Sequence, residues 1–165
     1  MRPVPIRLRP QQDLRGALAA LALENGWGAA YVLQGIGSLS VARIRFAGKG
    51  AATELRGDLE ILTLAGSLSP DGAHLHISVS DADGRVVGGH VAPGCIVRTT
   101  AEILLAQLPD FTFSRAPDPG SGWDELFIRP FSWSLERGMT GRACAMESAR
   151  PCSSGARRCC PLSYT

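Results

Sequence analysis

The stretch HLHISVSDADGRVVGGH, residues 74–90, holds all three histidines of the chain and reads as one β-hairpin. Leu75, Ile77 and Val79 alternate with small or polar residues, the pattern of a strand with one buried face. Asp81-Ala82-Asp83-Gly84 is turn chemistry: an aspartate starts the turn and Gly84 takes a positive φ at its end. If the loop is a type I turn closing on a glycine bulge, with Ala82, Asp83 and Gly84 in it, then Asp81 faces Arg85 and His76 faces His90. His74 lies two residues along the strand from His76 and points to the same face. Three imidazoles then converge on one patch. A two-residue turn at Asp83-Gly84 would instead pair His76 with Val91. His90 would point to the other face, because a slip of one residue inverts every side chain.

Such a patch has two readings. Neutral imidazole suits zinc, and three histidines leave a fourth position for water or another ligand. The plainer reading is a solvated strand face whose histidines satisfy local hydrogen bonds. Spacing alone leaves both open.

The 165 residues fit one domain with a tail, and a 45% hydrophobic fraction is enough for a core. No run of about 18 uninterrupted apolar residues exists to span a membrane. The start, Met1-Arg2-Pro3-Val4-Pro5-Ile6-Arg7, is basic, but no apolar secretory segment follows it, so a cytoplasmic protein is expected. Residues 1–130 carry 12 Lys/Arg against 13 Asp/Glu, whereas residues 131–165 carry 5 Arg against 2 Glu. The body therefore lacks the basic excess that drives strong binding to duplex DNA, since phosphate neutralisation supplies most of that affinity. Cys95 stands alone in the body and reads as a small buried apolar residue. Cys144, Cys152, Cys159 and Cys160 crowd the tail at spacings that match no zinc pattern. From Phe131 onward Ser, Arg, Gly, Pro and Cys dominate with no sustained period, so 131–165 is expected to be a disordered tail beside a 1–130 domain.

Along the body, Ile6–Pro10 alternates as a first strand. Asp13 is a helix N-cap followed by the stripe Leu14, Leu18, Leu21 and Ala22, which Asn25-Gly26 stops. Ala29–Gly35 is a second strand, Gly35–Ser40 a glycine turn, and Val41–Phe46 a third strand. Asp58–Leu68 is a long apolar strand. Thr99–Leu108 is predicted to be a second helix, with Thr99 as cap and Glu102 completing a capping box. Phe111–Arg115 is a further strand, and Glu125–Arg129 is expected to close the sheet. Many strands with two principal helices make an α+β fold with a mostly antiparallel sheet. Gly35-Ile36-Gly37 is not a nucleotide loop: Ser40 stands where its third glycine belongs, and a strand follows where a helix is needed. Gly48-Lys49-Gly50 lacks the phosphate-loop spacing as well.

Several blocks, in order, resemble the PPC domain, the domain conserved between plants and prokaryotes and present in plant AT-hook nuclear-localised proteins. They are Leu8-Arg9-Pro10 with Asp13-Leu14, Gly35-Ile36-Gly37-Ser38-Leu39, and Leu59-Glu60-Ile61-Leu62-Thr63-Leu64-Ala65-Gly66. The hairpin from His74 to His90 running into Gly94-Cys95-Ile96-Val97, then Thr100-Ala101-Glu102, continues the match. The resemblance spans residues 6 to 129 or so and implies an α+β fold assembled as a homotrimer. It also implies a metal, zinc, on the histidines matching His74, His76 and His90. The DNA-binding label of the family descends from plant members, whose Arg-Gly-Arg-Pro hook enters the minor groove. This chain has no such hook, because Arg2-Pro3 and Arg9-Pro10 lack the Gly-Arg before proline.

Two functional classes follow. One is a trimeric, zinc-stabilised assembly or transcription-regulatory module with weak DNA contact at most. The other is a zinc enzyme or small-ligand sensor, for which Glu102 and Asp81 are the carboxylates to place and Arg98 a further cleft residue. No Gly-x-Ser-x-Gly or His-Glu-x-x-His motif occurs, which favours the module.

Overall fold

In the computed structural model, residues 1–131 are described. The expected tail beyond them, with Cys144, Cys152, Cys159 and Cys160, lies outside the described residues.

Six antiparallel strands form the main sheet in the order β1-β6-β2-β3-β4-β5: β1 Arg2–Leu8, β2 Ala30–Arg45, β3 Thr53–Ser69, β4 Gly72–Ser80, β5 Val86–Val91 and β6 Ile96–Gln107. The far end of β2 also pairs with β5, through Ile44 with Val91 and Arg45 with His90. Strands β2 to β5 thus close on themselves, and this closure brings β5 and His90 under the end of β2. Among the described residues, strand β1 is an edge of the sheet. Pro3 and Pro5 lie on it, where missing N–H groups cost no ladder bonds and discourage pairing with a further strand.

A single helix among the described residues, α1 (Leu14–Glu24), packs against β3, β4 and β6. Leu14, Leu18 and Ala22 recur every four residues and are buried, so one stripe meets Leu64, Leu68 and Leu75 of the sheet in a common core. Each fully buried leucine contributes about 1.5–3 kcal/mol through apolar burial. Asp13 caps the helix: its Oδ1 accepts from the Gly16 N–H at 2.6 Å and its Oδ2 from the Gly94 N–H at 2.5 Å. One carboxylate therefore ties the helix start to the turn before β6. Asp13→Ala removes both bonds and is expected to lower unfolding stability by about 2–3 kcal/mol, read as a shift in denaturant midpoint.

The second helix predicted at Thr99–Leu108 is a strand. Residues Ile96–Gln107 form β6, held between β1 and β2. Ala101, Ile103 and Leu105 are buried while Glu102 and Leu104 face out, a period of two. The Leu, Ala and Gln content favours helix locally, but pairing on both sides overrides that propensity. Thr99 is no cap; its hydroxyl meets that of Ser38 at 2.6 Å.

The glycine turn predicted at Gly35–Ser40 is also absent, since β2 runs unbroken from Ala30 to Arg45 with its register slipping at bulges. Gly37 serves close strand approach instead. Its φ is +135°, and a Cβ there would sit 2.1 Å from the Thr100 carbonyl oxygen. Nor does Glu125–Arg129 close the main sheet. Strands β7 (Phe111–Pro117) and β8 (Asp124–Pro130) pair with each other as a separate two-stranded sheet. Phe113 anchors this ribbon, buried and edge-on to Tyr31 at 5.3 Å between ring centres. Cys95 is fully buried, as its apolar surroundings suggested.

Candidate metal centre

The hairpin turn sets the site. The Asp81 N–H donates to the Arg85 carbonyl at 3.0 Å, and the Gly84 N–H to the Asp81 carbonyl at 3.0 Å. Oδ1 of Asp81 accepts from the Asp83 and Arg85 N–H groups at 3.0 and 2.8 Å, and Gly84 has φ +78°. The loop is thus the three-residue one, Ala82 to Gly84. Register follows from it: Ser80 pairs with Val86, Val79 with Val87 and His76 with His90.

His74 and His76 leave β4 on one face while Ala73, Leu75 and Ile77 go to the core. Their rings stack at 5.3 Å, and the His90 ring stands nearly perpendicular to both, at 4.9 Å from His74 and 5.7 Å from His76. Nε2 of His74 and Nε2 of His76 are 3.3 Å apart. One nitrogen from each of the three rings lies within 4.8 Å of the others. The structure therefore brings together all three of the residues singled out in the sequence.

The closest pair of this cluster has the spacing that a tetrahedral ion requires. Zinc–nitrogen bonds of about 2.0–2.1 Å place ligand nitrogens roughly 3.3–3.4 Å apart, the spacing His74 and His76 already have. Nδ1 of His90 is buried with no hydrogen-bond partner among the described residues. Such a group costs about 1–3 kcal/mol, which a bound cation or a water held by one would relieve.

Charge state fits as well. Burial, then the charges of His74, Arg15, Arg45 and His76, push His90 down to about 4. Burial, then Arg115 and His76, lower His74 from its ordinary value, with Glu125 opposing and Arg15 assisting. Both rings are therefore neutral at pH 7 and offer the lone pairs that a metal needs.

The other residues named from sequence lie elsewhere. Glu102 stands on β6 opposite Arg7 and Ile36, Asp81 is held by its own turn, and Arg98 pairs with Asp58 at 2.9 Å. Neither Glu102 nor Arg98 lines the cleft beside the histidines. That cleft is lined instead by Arg15 of α1, Asp71, Arg115 of β7 and Asp124 of β8. No local pattern marks these four, because only tertiary packing assembles them.

The model of the Plants and Prokaryotes Conserved (PCC) domain matches residues 1–109. A bifunctional protein GlmU of Synechococcus sp. (strain JA-2-3B'a(2-13)) is 51% identical over 126 residues, 76% of this chain and 20% of that protein. AT-hook motif nuclear-localized protein 15 of Arabidopsis thaliana is 33% identical over 112 residues, 64% of this chain and 36% of its own. The chain thus spans about a fifth and about a third of these relatives. Among solved structures, a hypothetical protein of Salmonella enterica superposes with TM-score 0.76 at 43% identity, covering 78% of this chain and 94% of that one. A metal-containing protein of Archaeoglobus fulgidus superposes with TM-score 0.66 at 27% identity, covering 77% and 94%.

Proposed function

Because the chain belongs to the Plants and Prokaryotes Conserved (PCC) domain family, we propose that it is a cytoplasmic homotrimeric module whose subunits each hold a zinc ion on His74, His76 and His90. The observation that carries the metal is the convergence of three imidazoles from two paired strands, with a buried nitrogen left unpaired. The metal-containing relative from Archaeoglobus fulgidus supports it. Zinc bound there supplies a cross-link between β4 and β5, and on its open side a Lewis acid. Zinc analysis of protein purified without chelators tests the reading. Stoichiometric zinc is expected in the wild type and none in His76→Ala; wild-type protein without stoichiometric transition metal overturns it.

Self-assembly is supported by the outer face of the sheet. Ile36, Leu62 and Leu104 point away from the core on the adjacent strands β2, β3 and β6, each 41–51% exposed. Apolar side chains clustered on an open face mark an association surface, and a closed ring of copies buries it without leaving an end. Light scattering is expected to give three times the 17.5 kDa chain mass.

An assembly role also suits the relatives. The same domain makes up a fifth of one protein named for GlmU and about a third of one named for an AT-hook, so it recurs as one part of otherwise different proteins. Any regulatory action on DNA then runs through a partner or weak contact, since residues 1–130 carry 12 basic and 13 acidic residues. At about 0.15 M salt the full chain is expected to bind A·T-rich duplex no tighter than about 1 µM by fluorescence anisotropy. Tight, salt-sensitive binding overturns the expectation.

A further inference from the structure

Beside the histidines lies a cleft of about 380 Å³ between the start of α1, the β3–β4 turn and the β7–β8 ribbon. His74 and His90 form part of its wall, so one side of the imidazole cluster opens into it. Two half-buried arginines reach the same space, Arg15 from the first turn of α1 and Arg115 from β7. Neither joins an ion pair among the described residues, whereas the more exposed Arg43, Arg56, Arg85 and Arg98 each have a carboxylate within 3.9 Å. The guanidinium of Arg115 is aimed rather than free. It donates to the Asp124 carbonyl at 3.2 Å and to the Ser67 hydroxyl at 3.2 Å, which fixes its plane and leaves further N–H donors for the cleft. Arg15 makes one long bond, to the Val91 carbonyl at 3.4 Å.

Two half-buried guanidiniums that face one cleft beside the histidine cluster, neither held in an ion pair among the described residues, offer paired donors to an anion. Asp71 and Asp124 line the cleft too. Asp71 is held by the Arg115 backbone N–H at 2.7 Å. Carboxylates there favour donors on the occupant rather than a bare anion. The volume falls at the small end of ligand pockets, which begin at about 300 Å³.

We propose that this cleft binds a small molecule bearing an oxyanion, carboxylate or phosphate, together with hydroxyl or amino groups. The oxyanion lies between Arg15 and Arg115 on the side of the histidine cluster, and Asp71 and Asp124 accept from the donors. This assignment rests on the zinc reading only for the open side of the metal; the arginine pair stands without it.

Calorimetric titration of the zinc-loaded full chain with L-malate, glycerol 3-phosphate and glycerol tests the proposal, with zinc content measured on the same sample. At least one of the two acids is expected to bind saturably with a dissociation constant of about 1 mM or tighter, and glycerol not to bind. Malate alone identifies a carboxylate ligand, glycerol 3-phosphate alone a phosphate ligand. Arg15→Gln is expected to weaken binding by at least about tenfold with unchanged zinc content and melting temperature. Arg115→Gln provides a second reading of the clamp. Full zinc with no binding of either acid overturns this proposal and leaves the metal reading intact, as does binding that both arginine variants retain. If the chain holds no zinc, the metal reading fails, and the titration on zinc-free protein still decides the clamp: binding lost in Arg15→Gln supports it, and no binding overturns it.

Discussion

Stripping the metal with a chelator is expected to lower the thermal midpoint by more than about 10 °C, and added zinc to restore it. Any ligand that binds only the folded chain stabilises it by mass action, about 4 kcal/mol when free zinc is 1,000 times its dissociation constant. For a domain of this size each kcal/mol moves the midpoint by roughly 2–5 °C. Such a cross-link acts where the fold most needs one. Strand β5 is short and has two glycines, yet its pairing to β2 closes the sheet. His90 is on β5, so an ion shared with His74 and His76 would pin that closure. Acid should act in the same direction. The folded-state value of His90 is depressed to about 4, below the ordinary 6.5, so unfolding takes up a proton between those values. In the metal-free chain, stability associated with the neutral ring is full above about pH 6.5 and is lost as pH falls toward 4. Metal binding adds to this dependence because protons compete for the same nitrogens. Differential scanning calorimetry from pH 4 to 7.5, with and without chelator, separates the two contributions. A midpoint that ignores the chelator while the protein carries stoichiometric zinc would show that the ion adds nothing to the fold.

What was legible in the sequence was local. The Asp81–Gly84 turn is specified by side chains within five residues of each other, and register propagates outward from it to His76 and His90. Helix α1 announces itself through Asp13 and a four-residue leucine spacing. The misreadings share a cause of the opposite kind. Ile96–Gln107 contains good helix formers, and only its position between β1 and β2 makes it a strand. Glycines at 35 and 37 look like a turn because sequence does not reveal that β6 passes close by; the Cβ missing from Gly37 is room for the Thr100 carbonyl. Arg15 and Arg115 are a hundred residues apart, so no spacing rule could have placed them in one cleft. The meeting of His74, His76 and His90 was thus readable from one hairpin, whereas the pocket beside them depends on four separate elements meeting.

Gly66→Ala is expected to cost about 3 kcal/mol or more and to take the metal with it. Gly66 sits in β3 opposite Leu75 of β4 and Val32 of β2, at φ +150°. A Cβ built there would lie 2.0 Å from the His74 carbonyl oxygen and 2.8 Å from the Leu75 Cα. Both are backbone atoms of β4, which is laddered to β3 here and to β5 from His76 onward, so no flexible side-chain end can yield. Backbone strain at positive φ costs about 1–3 kcal/mol, and overpacking adds a similar amount. The displaced strand carries both His74 and His76, and their placement against the His90 ring of β5, 4.9 and 5.7 Å away, would not survive a shift of that size. Gly57→Ala is the matched control. It lies on the same strand at φ +128°, but nothing stands within 4 Å of its missing Cβ. It should therefore lose only the conformational part, about 1–2 kcal/mol, and keep its zinc. Denaturant midpoints and zinc content measured on both variants separate the two effects. Equal losses of stability with zinc retained in both would mean that β3 and β4 do not approach as closely at Gly66 as the histidine cluster requires.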